Sequence, residues 1–559
     1  MDNKIVSEDY ADIIVENRLL QPYLSTYEVI PINSSYSMIN IPVNLINRCS
    51  IEQFGYHGFP FCYTTEASLS LNASGVTEVQ RNPNLGMRGQ GILVAVIDTG
   101  VNYLHEAFIN RDNTTRITSI WDQTINDSNA ISNDVLYGTV YTRDMIDSAL
   151  NSENPLDIVP STDDTGHGTA IAGIIGGNEK INADFSGVVT DAEFIVVKLK
   201  QAKNITKEMF CIPLESVCYQ ETDILFALNY VMQQANILRK PLSICLAVGS
   251  SQGSHDGRGV LSSYISEISN QAGLAVAVSA GNEGLARRHY YGMLDASNEF
   301  SEFQVRVGSN EPGFAMELWK STPFRVSIDI TSPTGEYIAQ VYPTLRDCRV
   351  FRFIFEPTTI WLNNIISEGT TGDQLILVRF NLPTEGLWRF RIYNLDKETS
   401  DYHVWLPANG MISDETYFIN PNPDTTITSP GNSRFATTIT AYNVETNSIY
   451  NNASRGLTRL GQIKPELAAP GVDIVCPTFN SKDSYGLITG TGAAAAQAAG
   501  INAMLLEWGI LKGNNTGIDG IEIRTMLIRG AQKNPDNSIN NVWGYGKIDV
   551  YGAFEALRP

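Results

Sequence analysis

The chain has 559 residues, a formal net charge of −21 and a composition that is 43% hydrophobic with 45 glycines and no biased tract. That length exceeds what one hydrophobic core sustains, so two to four domains are expected, and the composition excludes a disordered or fibrous protein. The excess of acid excludes sequence-independent nucleic-acid binding, which needs Lys and Arg against phosphates, and no stretch supplies the roughly 18 uncharged apolar residues of a membrane span.

Residues 1–65 precede the first α/β pattern and are expected to form an α+β unit of their own, with a helical stretch from Glu8 to Asn17 and strand-like text at Tyr27-Glu-Val-Ile30. The start of the chain carries Asp2, Glu8 and Asp9 where an export signal would be apolar, so no signal peptide is expected. Thr64-Thr-Glu-Ala-Ser-Leu-Ser-Leu-Asn-Ala-Ser-Gly75 is polar and small, and reads as an exposed linker.

From Gly91 the text changes to buried strands alternating with helices. Gly91-Ile-Leu-Val-Ala-Val-Ile97, Phe194-Ile-Val-Val-Lys-Leu199, Leu242-Ser-Ile-Cys-Leu246 and Leu274-Ala-Val-Ala-Val278 are continuous apolar runs, with helical patterns from Glu221 to Asn236 and from Val260 to Ala272. Runs of this kind mark strands buried on both faces, and the alternation predicts an α/β fold on a central parallel sheet. Asp98 ends the first strand in Val96-Ile-Asp-Thr-Gly100, at the carboxyl edge where such sheets collect ligands. His167 sits between glycines in Asp163-Asp-Thr-Gly-His-Gly-Thr169, at the start of an Ala-rich helix. Asn282 follows the last of these strands in Val278-Ser-Ala-Gly-Asn-Glu-Gly284, where its amide would serve as a donor to a developing oxyanion.

Between about Ser301 and Pro421 the text becomes short alternating strands such as Phe303-Gln-Val-Arg-Val307 and Trp388-Arg-Phe-Arg-Ile392. This predicts an inserted β-sandwich over residues 301–425, because α/β text resumes near Ile427. The domains expected are therefore 1–65, 66–300, 301–425 and 426–559, the second and fourth forming one α/β unit. Leu487-Ile-Thr-Gly-Thr-Gly-Ala-Ala-Ala-Ala-Gln-Ala-Ala-Gly500 closes the pattern with a Gly-Thr-Gly turn into a long Ala-rich helix, whose N-terminus would present free amides and a positive dipole end. The seven cysteines, an odd and scattered set, are expected to be unpaired buried thiols of a protein made in a reducing cytoplasm; only Cys211 and Cys218 are near one another in sequence.

The segments around Asp98, His167, Asn282 and Gly492, in that order, resemble the subtilisin-like (S8) serine proteases, as do Ser186-Gly-Val-Val-Thr-Asp-Ala-Glu-Phe-Ile-Val-Val-Lys198, Ile463-Lys-Pro-Glu-Leu-Ala-Ala-Pro-Gly471 and Trp543-Gly-Tyr-Gly-Lys-Ile-Asp549. The resemblance implies a three-layer subtilisin-like fold in which Asp98 orients the histidine, His167 is the general base and Asn282 is half of an oxyanion hole. It implies that Leu246, Ala247, Val248 and Gly249 line the substrate cleft, with Phe61-Cys-Tyr-Thr-Thr65 lying beside them. The family carries a serine where this chain has Gly492, and a Pro-His pair where it has Ala496-Gln497. Glycine has no hydroxyl to form an acyl-enzyme, so the implied product is a pseudoprotease that keeps its pro-segment.

The order of pro-segment, core and inserted sandwich, which in this group is a jelly roll, together with Thr115-Arg-Ile-Thr-Ser-Ile-Trp-Asp-Gln-Thr124, is similar to the Csp germination proteases of clostridial spores. That resemblance implies a role in spore germination signalling, with a paralogous active Csp protease and another Csp pseudoprotease as partners, a small-molecule germinant as a further candidate, and the spore as location. The active relative would process the proenzyme of a cortex-lytic hydrolase. Whether the chain is CspC-like or CspA-like stays open, and a residual hydrolase or a structural or chaperone component are the alternatives. No cofactor and no metal are expected, since no Asp cluster matches a calcium loop.

Overall fold

The computed structural model describes residues 3–70, 87–126 and 135–557. At its centre the strands run in the order Ser448–Ile449, Thr437–Asn443, Leu274–Ser279, Leu242–Leu246, Leu93–Asp98, Glu193–Lys198, Ile117–Asp122 and Thr139–Thr142, with Leu467–Pro470 also paired to Thr437–Asn443. The central pairings are parallel, as expected, and the edge strands Thr139–Thr142 and Ser448–Ile449 add antiparallel pairs that make the whole sheet mixed.

Alternation along the central strand builds the three layers. Leu93, Ala95 and Ile97 face a core shared with the helices Glu221–Leu238 and Val260–Ile268, whereas Val94 and Val96 face the helices His167–Gly176 and Thr491–Leu506. Both faces are covered, which is why these strands read as unbroken apolar runs.

The inserted domain is a sandwich of a six-stranded and a five-stranded sheet, every paired strand antiparallel, running from His289–Leu294 to Tyr417–Phe418. Phe303, Phe314, Phe380, Trp388 and Phe390 fill the space between its sheets.

The N-terminal unit differs from its expected form. The segment read as a helix is the strand Tyr10–Glu16, paired antiparallel with Tyr36–Pro42, which in turn pairs with Val29–Pro31. Ile13, Ile14 and Val15 are stiff, β-branched side chains that favour the pleated surface, and they are buried. Thr64 to Ser70 is not an exposed linker either. Cys62–Thr65 inserts between Tyr219–Gln220 and Val248–Gly249, and Ser68–Ser70 pairs with Tyr485–Thr489. Residues 71–75 of that expected linker lie outside the described residues.

The cysteines also depart from expectation. Cys49 of the N-terminal unit and Cys348 of the sandwich form a disulfide across a sequence separation of 299, with their Cα atoms 5.4 Å apart. Nothing in the spacing signals this, because only the docking of two distant units brings the pair together. Cys211 and Cys218 are not joined, and with Cys62, Cys245 and Cys476 they are buried free thiols.

Candidate active site

Asp98 stands at the carboxyl end of the central strand and His167 on the first residue of its helix, so strand and helix deliver a carboxylate and an imidazole to one point. His167 Nδ1 donates to Asp98 Oδ1 at 2.7 Å, with the two residues 5% and 1% exposed. Close packing makes this approach feasible: a Cβ at Gly168 would stand 2.1 Å from the Gly100 carbonyl oxygen, so only glycine lets the helix start come so near the strand end. Asp163 fixes the loop before the helix, accepting from Thr99 Oγ1 at 2.7 Å, from Thr169 N at 2.8 Å and from Thr169 Oγ1 at 2.7 Å. Burial pulls the His167 pKa down, but the charge and hydrogen bond of Asp98, with Asp163 behind them, outweigh it and leave the imidazole above its ordinary value. On the other side of the ring, His167 Nε2 is buried and has no hydrogen-bond partner.

Asn282 and Gly492 meet on a third element. Asn282 Nδ2 donates to the Glu66 carbonyl oxygen at 2.5 Å, and Gly492 N donates to the same oxygen at 3.1 Å. Two convergent N–H donors, one of them in the first turn of a helix, are the arrangement that stabilises an oxyanion. Glu66 N donates to Ala247 O at 2.9 Å, Val248 pairs with Thr65 and Gly249 with Thr64. Backbone ladders thus hold the chain on both sides of the Glu66–Ala67 peptide bond, and its carbonyl is presented to the two donors.

The Glu66 side chain fills a pocket that sequence reasoning missed. It is 3% exposed, and its carboxyl accepts from Thr428 Oγ1 at 3.1 Å. A Cβ at Gly249 would lie 1.9 Å from Glu66 Oε1, so this glycine makes the room. Burial first, then the nearby Glu283 carboxyl, push the Glu66 pKa up to about 8, so the buried group is a neutral acid at pH 7. The available signal was weak: one carboxyl in a polar segment gives no periodicity. Asp163 lies within the His167 motif, but its supporting bonds are visible only in three dimensions.

Residue 492, in the first turn of the Thr491–Leu506 helix, brings no side chain to this constellation. Gly492 ends at Cα, and two hydroxyls of the same stretch of chain are engaged in hydrogen bonds. Thr491 Oγ1 accepts from Gly281 N at 3.1 Å and donates to Asn282 Oδ1 at 3.2 Å, while Ser484 Oγ lies 2.5 Å from Thr478 Oγ1. The site can orient a base, bind a peptide in extended form and polarise its carbonyl.

The model of the subtilase family matches residues 89–304 and 403–546, and the gap between the two spans lies within the sandwich. Among solved structures, the Clostridium perfringens CspB protease matches at 28% identity and a TM-score of 0.75, covering 86% of this chain and 96% of that one. Fervidolysin from Fervidobacterium pennivorans, a keratinolytic enzyme related to subtilisin, matches at 12% identity and a TM-score of 0.49, covering 98% of this chain and 61% of that one. Comparison with curated protein sequences returns no match.

Proposed function

The chain belongs to the subtilase family, and on that premise we propose that it is a member that has stopped cutting peptides and works by binding: a pseudoprotease. The observation that carries this reading is the Glu66 carbonyl, held by Asn282 Nδ2 and Gly492 N, with no hydroxyl at residue 492 to attack it. In subtilisin, loss of the serine alone costs about 2 × 10⁶ in kcat. The remnant that binding and an oxyanion hole supply, roughly 10³–10⁴ over water, is negligible on a peptide bond. The pro-segment therefore stays attached and keeps the cleft closed to other peptides.

The likeness to the CspB protease supports placing the chain in the Csp group. In that setting the protein transmits a germination signal in the spore, receiving it from a small molecule or a second pseudoprotease and passing it to an active Csp protease. A residual hydrolase is the second reading, favoured by the intact Asp98–His167 pair. A fluorophosphonate probe separates the two. The pseudoprotease leaves the probe unreacted, whereas stoichiometric labelling of the wild-type chain overturns the proposal. A germination assay on spores lacking this chain, with pull-down of a paralogous protease by the full-length chain, tests the signalling part: unimpaired germination together with no captured protease would overturn it.

A further inference from the structure

One edge of the six-stranded sheet of the sandwich is left open. Cys348–Arg352 is its last strand, paired antiparallel with Thr359–Ile365 on one side and with no strand on the other among the described residues. In such a pair alternate backbone groups point away from the sheet. Cys348 N points outward and donates to Glu52 Oε1, and Ile354 N points outward and donates to Glu336 Oε1 at 2.9 Å, with Phe355 N on Glu336 Oε2 at 3.3 Å. Phe353 N turns inward to Thr358 O at 3.2 Å, which fixes the alternation. Between the two carboxylate caps, Val350 N and Arg352 N therefore face outward, and they have no acceptor among the described residues. An open edge of this kind is a template for a further strand.

The side chains along the edge select what that strand carries. Arg346, Arg349 and Arg352 are exposed, and Asp347 is the one acid from Leu345 to Phe355. Elsewhere on the sandwich Arg325 pairs with Asp396, and Arg389 and Arg391 with Glu302, whereas these three have no ion-pair partner among the described residues. In a chain of net charge −21 they form a local patch of the opposite sign, complementary to an acidic partner. Beside them Ile354 and Phe355 are 83% and 84% exposed, on a turn whose backbone the Glu336 carboxylate holds in place. Two other occupants fit less well. A second copy paired through the same strand would double the arginines along one seam, where like charges repel. An anionic bilayer would attract the arginines but repel the rest of so acidic a chain, and it continues no ladder from Val350 and Arg352.

We propose that Cys348–Arg352 is a docking strand for an acidic, extended segment of a partner protein, which adds to the sheet edge, sets carboxylates against Arg349 and Arg352 and packs an apolar side chain on Ile354 and Phe355. Arg349 and Arg352 are three residues apart and so lie on opposite faces of the sheet, which asks for acids at the same spacing in the segment. The inference does not rest on the pseudoprotease reading, since the edge belongs to the sandwich and the cleft takes no part.

The test is a fluorescence-polarisation titration of the full-length chain with a labelled peptide, acetyl-Thr-Glu-Val-Val-Glu-Thr amide, and with its counterpart carrying Lys for Glu. Saturable binding of the acidic peptide alone is expected. Arg349→Glu with Arg352→Glu should weaken it by about tenfold or more. Val350→Pro, which removes an outward N–H at a position an edge strand tolerates, should abolish it, and neither variant should lower the thermal unfolding midpoint by more than a few degrees. Absence of saturable binding to the folded chain overturns the proposal, as does binding that survives both variants. Co-sedimentation with phosphatidylserine vesicles that Ile354→Ser with Phe355→Ser abolishes would assign the patch to a bilayer instead. A dimer in analytical ultracentrifugation that Val350→Pro dissolves would assign it to a second copy, and either result overturns the proposal. None of these outcomes depends on whether the chain cleaves peptides.

Discussion

A Cβ built on Gly492 would stand 3.2 Å from Ala247 Cβ, 3.3 Å from the Glu66 carbonyl oxygen and 3.4 Å from Ala67 Cβ. Those separations are tight but need shifts of only a few tenths of an ångström, and the backbone at Gly492 is helical, so Gly492→Ser should fold at a cost of about 1–3 kcal/mol, measured by denaturant unfolding. The neighbouring Gly490 is a different matter. Its φ of 149° and the 2.5 Å from its virtual Cβ to Glu66 O tie that glycine to the close passage of the Glu66–Ala67 backbone. His167 should titrate above its ordinary value. The folded pKa is raised from 6.5, so the pair adds stability that is fully present below about pH 6.5 and is lost as pH rises through the folded value. Asp98→Asn leaves burial as the dominant influence and should move His167 below its ordinary value, followed by NMR of the imidazole protons; a titration that stays raised would remove Asp98 as the cause. Asp98, His167, Asn282 and Gly492 could be picked out as candidates in the sequence because each lies in a short motif at a strand end or helix start. Glu66 was not, because its role depends on backbone ladders that carry no composition signal.

The decisive element is the stretch through the cleft, Cys62–Thr65, Glu66 and Ser68–Ser70. Its buried carboxyl makes docking depend on pH. Glu66 has a reference value of 4.5 and a folded value of about 8, so the stability it lends is fully present below about pH 4.5 and is lost as pH rises to about 8. Glu66→Gln keeps the shape without the charge. It should stabilise the chain at pH 7 by on the order of 2–3 kcal/mol and flatten the melting-temperature profile between those limits. An unchanged profile would mean that the carboxyl is solvated. A second tie is the Asp12–Lys203 pair at 2.8 Å, with side chains 0% and 2% exposed, where Asp12 also accepts from Asn40 Nδ2 and Gln220 Nε2. Asp12→Ala strands Lys203 in the interior and should cost about 3–5 kcal/mol by denaturant unfolding. The strand Tyr10–Glu16 was misread as a helix because its apolar run is short, and local pattern alone does not separate a brief strand from a helical turn.

Across the whole molecule the three units share material. One hydrophobic cluster runs from Ile13 and Met38 of the N-terminal unit through Phe210 and Leu225 of the α/β core to Trp319 and Leu377 of the sandwich. Arg379 of the sandwich pins the junction, donating to the backbone carbonyl oxygens of Arg48 and Met209 and, at 2.7 Å, to Asn363 Oδ1. Cys49–Cys348 closes the same junction covalently, so a chain cut in the cleft would hold together until reduced. The division into α/β core and sandwich was readable because buried runs and alternating strands differ in period. The docking of the first unit was not, since it depends on surfaces far apart in sequence. The most direct test of the account is intact-mass analysis under reducing conditions of the wild-type chain and of Gly492→Ser. The wild-type chain should be intact and the variant split between Glu66 and Ala67; a wild-type chain that begins at Ala67, or a folded variant that remains whole, would contradict the pseudoprotease reading.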